Sequence, residues 1–311
     1  MSHQTRIIII FGGIIMKRFY SMLPIISGIC FGSAGIFVRE LSQHMNSTSI
    51  ISSRVLIAII LLGLWIAVTD SSYFNIKLKD LWIFIGAGII GTLGLNICYN
   101  FSINELSLSL SAVLLALAPI FVMIFAFVLF HESITKRKVI SIILALIGCI
   151  LTSGILENNT SMHWTWIGIF IGSLGAIFYA LYSIFSKVGM KKGYQALTIT
   201  FYSMTAIAIV LLPFTQWGHI TQYISSNPIR ITLFMVVHSF CTAVCPYAFY
   251  TIALDHMEAG KASILCSCEP VAAMIFGIIF FGEIPTVLSI IGLIVVLAAL
   301  AMLVLSDTSK D

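Results

Sequence analysis

Long apolar runs separated by short polar connections constrain this chain more than any other feature of its sequence. Each of ten runs has about the 17 to 25 residues that a helix needs to cross hydrocarbon. Only 9% of the residues are charged, whereas soluble domains average about 25%, so the chain lacks the polar side chains that cover a water-soluble globule. We predict an all-α integral membrane protein whose ten spans are residues 20–38, 48–69, 81–101, 107–130, 138–155, 164–186, 195–214, 229–251, 261–281 and 286–305.

The basic residues predict the orientation of these spans. With the N-terminus inside, most Lys and Arg residues lie on the cytoplasmic side, as the positive-inside rule requires; they are Arg6, Lys17, Arg18, Lys77, Lys79, Lys136, Arg137, Lys138, Lys187, Lys191, Lys192, Lys261 and Lys310. Arg39 and Arg230 fall outside, and Arg54 lies near the outer end of the second span. We therefore predict a multi-pass protein of the cell (inner or cytoplasmic) membrane with both termini cytoplasmic. The net charge of +4 then reflects topology, and it indicates no nucleic-acid partner.

The first residues admit two interpretations. The apolar stretch 7–15 is too short to span, and the Met-Lys-Arg after it places positive charge on the wrong side for a signal peptide. Either residues 1–19 form an interfacial N-terminal segment, or translation starts at Met16. The other predicted units are a first five-helix repeat at 20–155, a connector at 156–163, a second repeat at 164–306 and a tail at 307–311.

Two stretches of the chain align without a gap. YNFSINELSLSLSAVLLALAPIFVMIFAFVLFHE (99–132) lies over YTIALDHMEAGKASILCSCEPVAAMIFGIIFFGE (250–283), which pairs Tyr99 with Tyr250, Pro119 with Pro270 and Glu132 with Glu283. Five spans per half is an odd number, so the second half enters the membrane upside down relative to the first. Inverted-topology repeats of this kind are typical of secondary transporters, with the substrate site near mid-membrane.

These residues resemble the EamA family of the drug/metabolite transporter (DMT) superfamily. The resemblance lies in a helix with a mid-span proline, an apolar run ending in Glu and a short tenth span, and it covers about residues 20 to 306. His131 stands where a Gly commonly precedes that glutamate. The resemblance implies a carrier of small metabolites that often exports amino acids, with a central cavity lined by spans 1, 3, 4, 6, 8 and 9. The predicted function is therefore amino acid export by alternating access, and the alternative is import of a vitamin or other nutrient.

Glu269 and Pro270 interrupt an otherwise apolar span. A carboxylate at such depth costs about 2.5–3.5 kcal/mol by insertion scales for comparable charges, and by default it marks a substrate or proton pathway. The alternative is a protonated or hydrogen-bonded Glu269 that holds the bundle together. Pro119 and Pro270 each remove a backbone N–H and clash one turn back, so we predict a kink at both prolines.

Further candidate substrate-binding residues are polar side chains within the spans. Arg54 either clamps a substrate carboxylate or snorkels to the outer headgroups. Polar stripes at helical spacing cannot face lipid comfortably, so they bind substrate or hydrogen-bond neighbouring helices; their candidates are Asn96, Tyr99, Asn100, Tyr179, Tyr182 and Tyr250. His238 is a weaker candidate, for which a bond to a neighbouring carbonyl is the alternative.

Several other features predict packing or no chemistry. Gly28, Gly32 and Gly35 favour close helix packing, and Glu132 and Glu283 are expected to be solvated at helix ends. The seven cysteines lie within spans, which argues against a disulfide framework. We predict no metal site, no cofactor and no enzymatic activity, because no zinc, nucleophile or nucleotide motif is present; a passive channel is a lesser alternative. The predicted partners are a small-molecule substrate and the lipid bilayer, with a coupling proton and a homo-oligomer as open options.

Overall fold

The structure is a computed structural model that describes residues 19–106, 108–152, 156, 165–282 and 284–305. The N-terminal segment with its two possible starts, most of the connector, Glu283 and the C-terminal tail lie outside these residues. The described residues form helices and connections without any strand. The predicted fold class of an all-α membrane protein with two repeats is confirmed.

Ten long helices make up the described chain. Nine of them are long and apolar enough to cross a membrane, and the described part of the fifth has 17 residues. We label them α1 (Phe19–Leu41), α2 (Ser47–Thr69), α3 (Leu78–Ser102), α4 (Val113–Phe130), α5 (Lys136–Thr152), α6 (Trp166–Lys191), α7 (Ala196–Phe214), α8 (Pro228–His256), α9 (Ala259–Phe281) and α10 (Val287–Leu305). A short helix at Trp217–Ser226 lies between α7 and α8.

Polar caps set the start of several helices. The Asn46 side chain accepts a hydrogen bond from the Ser49 N–H at 2.9 Å, and α2 begins after it. Thr165 caps α6 in the same way, through a 3.0 Å bond from the Gly168 N–H. Each cap satisfies a donor that has no partner within the helix, which locates the helix start.

The two halves of the chain share their helix irregularities. A π-helical segment interrupts α3 at Gly86–Leu93 and α8 at Phe240–Val244. α4 is broken by a turn at residues 116–117, and α9 by a turn at residues 267–268. The ungapped register that pairs Tyr99 with Tyr250 aligns the two turns with each other. Extended toward the N-terminus, it also aligns Phe240–Val244 with the last five residues of Gly86–Leu93. The sequence repeat is therefore also a repeat of backbone geometry.

α1 packs closely against the broken part of α9. A Cβ added at Gly32 would lie 2.6 Å from the carbonyl oxygen of Glu269, and one at Gly28 would lie 2.5 Å from that of Cys266. Only a residue without a side chain permits this approach. Gly35, by contrast, has no atom within 4 Å of its added Cβ. Two of the three predicted packing glycines thus place α1 beside Glu269.

Apolar side chains cover the outside of the bundle. Large exposed residues include Leu64 on α2, Val128 on α4, Phe170 on α6 and Phe280 on α9. Several tyrosines lie inside instead, and Tyr182 and Tyr250 are the largest fully buried side chains. This arrangement, with apolar groups outside and polar groups inside, suits a bundle surrounded by lipid.

Candidate functional site

Glu269 begins the second half of α9. The half-helix Glu269–Phe281 starts directly after the turn, and Pro270 occupies its first turn, where the missing N–H costs nothing. The Glu269 side chain is partly accessible, and it forms no hydrogen bond or ion pair with any described residue. Its counterpart at the start of the half-helix Ala118–Phe130 in α4 is Ala118. The carboxylate therefore breaks the symmetry of the repeat.

Tyrosines from three helices interact electrostatically with Glu269. Tyr99 of α3, Tyr179 of α6 and Tyr247 of α8 all lie within electrostatic reach of its carboxylate. Tyr179 also contacts the Cys266 thiol, with 3.6 Å between Oη and Sγ. These phenol groups can hold the apolar part of a ligand with their rings while their hydroxyls contact its polar groups.

Tyr182 and Tyr250 have hydrogen-bond partners on neighbouring helices. The Tyr182 hydroxyl lies 2.8 Å from Thr251 Oγ1, and the Tyr250 hydroxyl lies 2.8 Å from Ser183 Oγ. Their ring centroids are 6.3 Å apart. These contacts join α6 to α8, and the Tyr250 ring lies 6.4 Å from the Tyr179 ring.

Two asparagines, Asn96 and Asn100, belong to the polar stripe of α3 that also contains Tyr99. The Asn96 side-chain amide donates to the Thr92 carbonyl oxygen of its own helix at 2.7 Å. Asn100 is partly buried, and its side chain makes no hydrogen bond to the described residues. The structure thus brings the α3 stripe to the interior, and the Asn100 amide is available to a ligand.

Arg54 of α2 provides the opposite charge. Its side chain is partly accessible, but its Nε atom is buried without a hydrogen-bond partner, and no carboxylate of a described residue lies within 4 Å. Tyr247 lies within electrostatic reach of both Arg54 and Glu269. Arg54 and Glu269 therefore do not pair with each other, although both interact electrostatically with the same tyrosine.

Tyr247 was not among the residues that the sequence singled out. In the ungapped repeat it is the counterpart of Asn96, three residues before the stretch in which the repeat begins. Its ring packs edge-on against Phe31 of α1, with centroids 5.0 Å apart, and against Tyr182 at 5.1 Å. Extending the aligned repeat by one helical turn toward the N-terminus pairs Tyr247 with Asn96, and this pairing would have identified Tyr247 as a candidate.

Glu132 is buried, whereas the sequence favoured a solvated position. It is 9% exposed, and its carboxylate accepts hydrogen bonds from the backbone N–H groups of Ala259 at 2.9 Å and Gly260 at 3.3 Å. Lys187 Nζ lies 3.2 Å from the same carboxylate. Glu132 therefore caps the start of α9 and joins it to α4 and α6.

A cavity of about 400 Å³ opens beside this ion pair, at one end of the bundle. Its lining residues come from the ends of α4, α6 and α8 and the start of α9; they are Phe130, Glu132, Lys187, Lys191, Asp255, His256, Met257 and Glu258. Lys138 pairs with Glu258 at the same end. This ionic end is separate from the Glu269 site, which lies deeper along α9.

Comparison with known proteins matches both halves of the chain to one family. Residues 18–154 and 166–305 each match the model of the EamA-like transporter family. The "Uncharacterized transporter YxxF" of Bacillus subtilis is 25% identical over 290 residues, which cover 92% of this chain and 89% of that protein. A transporter of Clostridium kluyveri is 26% identical over 291 residues, covering 91% of both chains. The "inner membrane transporter YhbE" of Escherichia coli K12 is 23% identical over 260 residues, covering 82% of this chain and 79% of that protein.

A solved structure shares the fold. One crystal structure superimposes with a TM-score of 0.76 at 12% sequence identity, covering 94% of this chain and 98% of the other. The two family matches fall one on each half of the chain, in agreement with the repeat of helix irregularities.

Proposed function

The chain belongs to the EamA-like transporter family, and we propose that it is a secondary carrier that exports amino acids or related compounds by alternating access. It is a membrane transporter, as its relatives are. We place it in the cytoplasmic membrane, and the inner-membrane relative YhbE supports that location.

One observation supports a zwitterion such as an amino acid as the substrate. Arg54 and Glu269, two side chains of opposite charge, have no ionic partner among the described residues, and both lie within electrostatic reach of Tyr247. An unpaired charge inside a protein costs several kcal/mol, which a ligand of opposite charge recovers. A zwitterion supplies a carboxylate for Arg54 and an ammonium for Glu269. Tyr99 and Tyr179 would contact its apolar part.

The repeats support alternating access. Because each half has five helices, we infer that the second half is inverted in the membrane, which is the arrangement of many secondary carriers. The broken helices α4 and α9 occupy equivalent places in the two halves, with Pro119 and Pro270 in the first turns after the breaks. We propose that these breaks are the hinges at which the helices move, and that Glu269 exchanges a coupling proton.

The test is export by cells that lack their own exporters. Wild type, Glu269→Gln and the control Glu40→Gln are expressed at matched levels, and amino acids in medium and cells are measured by mass spectrometry. Glu40 is exposed at the end of α1, so its variant should export as wild type does. We expect Glu269→Gln to lower export by about tenfold or more, since a lost charged contact of ~1.4 kcal/mol changes binding tenfold.

Two outcomes would contradict the proposal. Equal export by wild type and a correctly inserted Glu269→Gln would make Glu269 a structural residue. Accumulation of a nutrient in the cells, with nothing exported, would favour the importer that the sequence leaves as the alternative.

A further inference from the structure

Two buried side-chain nitrogen atoms on neighbouring helices lack a hydrogen-bond partner. They are Nε of Arg54 on α2 and Nε2 of His238 on α8. His238 is 1% exposed, and it lies within electrostatic reach of the Arg54 guanidinium. Neither side chain forms a hydrogen bond or an ion pair with any described residue. Buried polar atoms are nearly always satisfied, so two unsatisfied ones together indicate a missing partner.

The Arg54 charge also lacks a counter-ion. No carboxylate of a described residue lies within 4 Å of the guanidinium. Arginine cannot shed its proton in a protein, so neutralisation by proton loss is not open to it. The side chain is partly accessible but its Nε is buried, so an anion beside it would supply both a counter-charge and the missing hydrogen-bond acceptor.

The surrounding helices hold the two side chains in place. Ser239 Oγ donates to the Arg54 carbonyl oxygen at 2.6 Å, which fixes α8 against α2. The His238 ring stacks on Phe37 of α1, with centroids 5.2 Å apart. Tyr247 lies about two helical turns farther along α8 than Ser239, toward Glu269. The two side chains thus belong to neighbouring helices, and the His238 ring also packs against α1.

We infer that Arg54 and His238 form a binding site for a compact monovalent anion. Arg54 presents a planar group that pairs with a carboxylate through two parallel hydrogen bonds, and His238 adds a donor at Nε2. The anion is either the carboxylate of the transported zwitterion or a free ion such as chloride. The first source rests on the proposed function, whereas the site itself rests on the two unsatisfied donors.

The experiment measures thermal unfolding of the purified full chain in detergent as a function of anion. Sodium is held constant while the bulky sulfonate MOPS is replaced by formate in one series and by chloride in the other. We expect a saturable rise in Tm on the order of 2 °C in at least one series, because an anion that binds only the folded state stabilises it. A rise with formate alone identifies a carboxylate site, and a rise with chloride identifies a site that also takes a free ion.

Three variants make the result specific. Arg54→Gln and His238→Phe should lose the rise, and the Phe side chain keeps the stacking on Phe37. The control Arg230→Gln removes an exposed charge from the start of α8 and should keep it. No saturable rise in wild type, or an equal rise in His238→Phe, would overturn the site. The wild-type series decides even if Arg54→Gln does not fold.

The thermal-unfolding experiment and the export assay test different claims, so one can fail while the other succeeds. A rise in Tm without amino acid export would leave the anion site intact and contradict the proposed substrate. Export without any rise would leave the proposed function intact and contradict the anion site.

Discussion

His131 is the one non-glycine residue in the described ranges with a left-handed backbone, at φ 57°. It ends α4, and its counterpart Gly282 ends α9 at φ 63°. A side chain in this conformation costs roughly 1–2 kcal/mol, which glycine avoids. The histidine, at the position where the second repeat has glycine, therefore strains the chain at the end of α4.

We predict that His131→Gly raises the free energy of unfolding by about 0.5–1 kcal/mol, because the relief of strain exceeds the entropy that glycine adds to the unfolded chain. Thermal unfolding in detergent measures the change. Gly282→Ala is the matched control and should be destabilising through strain alone, since no atom lies within 4 Å of its added Cβ. A less stable His131→Gly would mean that the exposed imidazole makes a favourable contact.

The sequence identified Glu269, Arg54 and Tyr99 as candidates because polar groups stand out in apolar spans. It did not identify the burial of Glu132 or the position of Tyr247. Glu132 is buried by the start of α9 and by Lys187, both distant in the sequence. Local composition therefore locates a polar residue in a span, but only the packing of other helices decides whether it has a partner.

At the scale of elements, the Glu132–Lys187 pair connects α4, α6 and α9. We predict that Glu132→Ala lowers the free energy of unfolding by about 1–3 kcal/mol, because two backbone donors and an ammonium group lose their acceptor. Glu132→Gln should cost less, since its amide oxygen still accepts from the Ala259 N–H. Chemical unfolding of the purified variants measures both changes.

A double-mutant cycle with Lys187→Met isolates the ion pair from the helix cap. Contacting charged residues are usually coupled by about 0.5–3 kcal/mol. Additive effects of the two substitutions would show that Glu132 acts through the cap alone.

The positions of the helices and the breaks near the two prolines could be predicted from the sequence, whereas the π-helical segments could not. Apolar runs mark ten spans because lipid demands length and apolarity, and the proline pair indicates where α4 and α9 are interrupted. The π-helical segments have no such mark. Gly86–Leu93 contains three glycines, but its counterpart Phe240–Val244 contains none. Such a change of hydrogen-bond register follows from packing between helices.

At the scale of the molecule, the charge distribution and the odd number of helices per half lead to one orientation. The connections after α2 and α7 are equivalent in the two repeats. If the second repeat is inverted, these connections lie on opposite sides of the membrane. Lys77 and Lys79 follow α2, which places its connection in the cytoplasm by the positive-inside rule. The connection after α7 should then face outward.

We predict that a cysteine at position 226 reacts with a membrane-impermeant maleimide in intact cells, and that one at position 71 reacts only after permeabilisation. Ser71→Cys and Ser226→Cys are matched, because both serines are exposed and each change replaces one oxygen by sulfur. The parent chain, whose described cysteines are all free, measures background labelling. Labelling of both positions from the same side would contradict the inverted repeat, whereas exchanged sides would preserve the inversion and reverse only the orientation of the bundle.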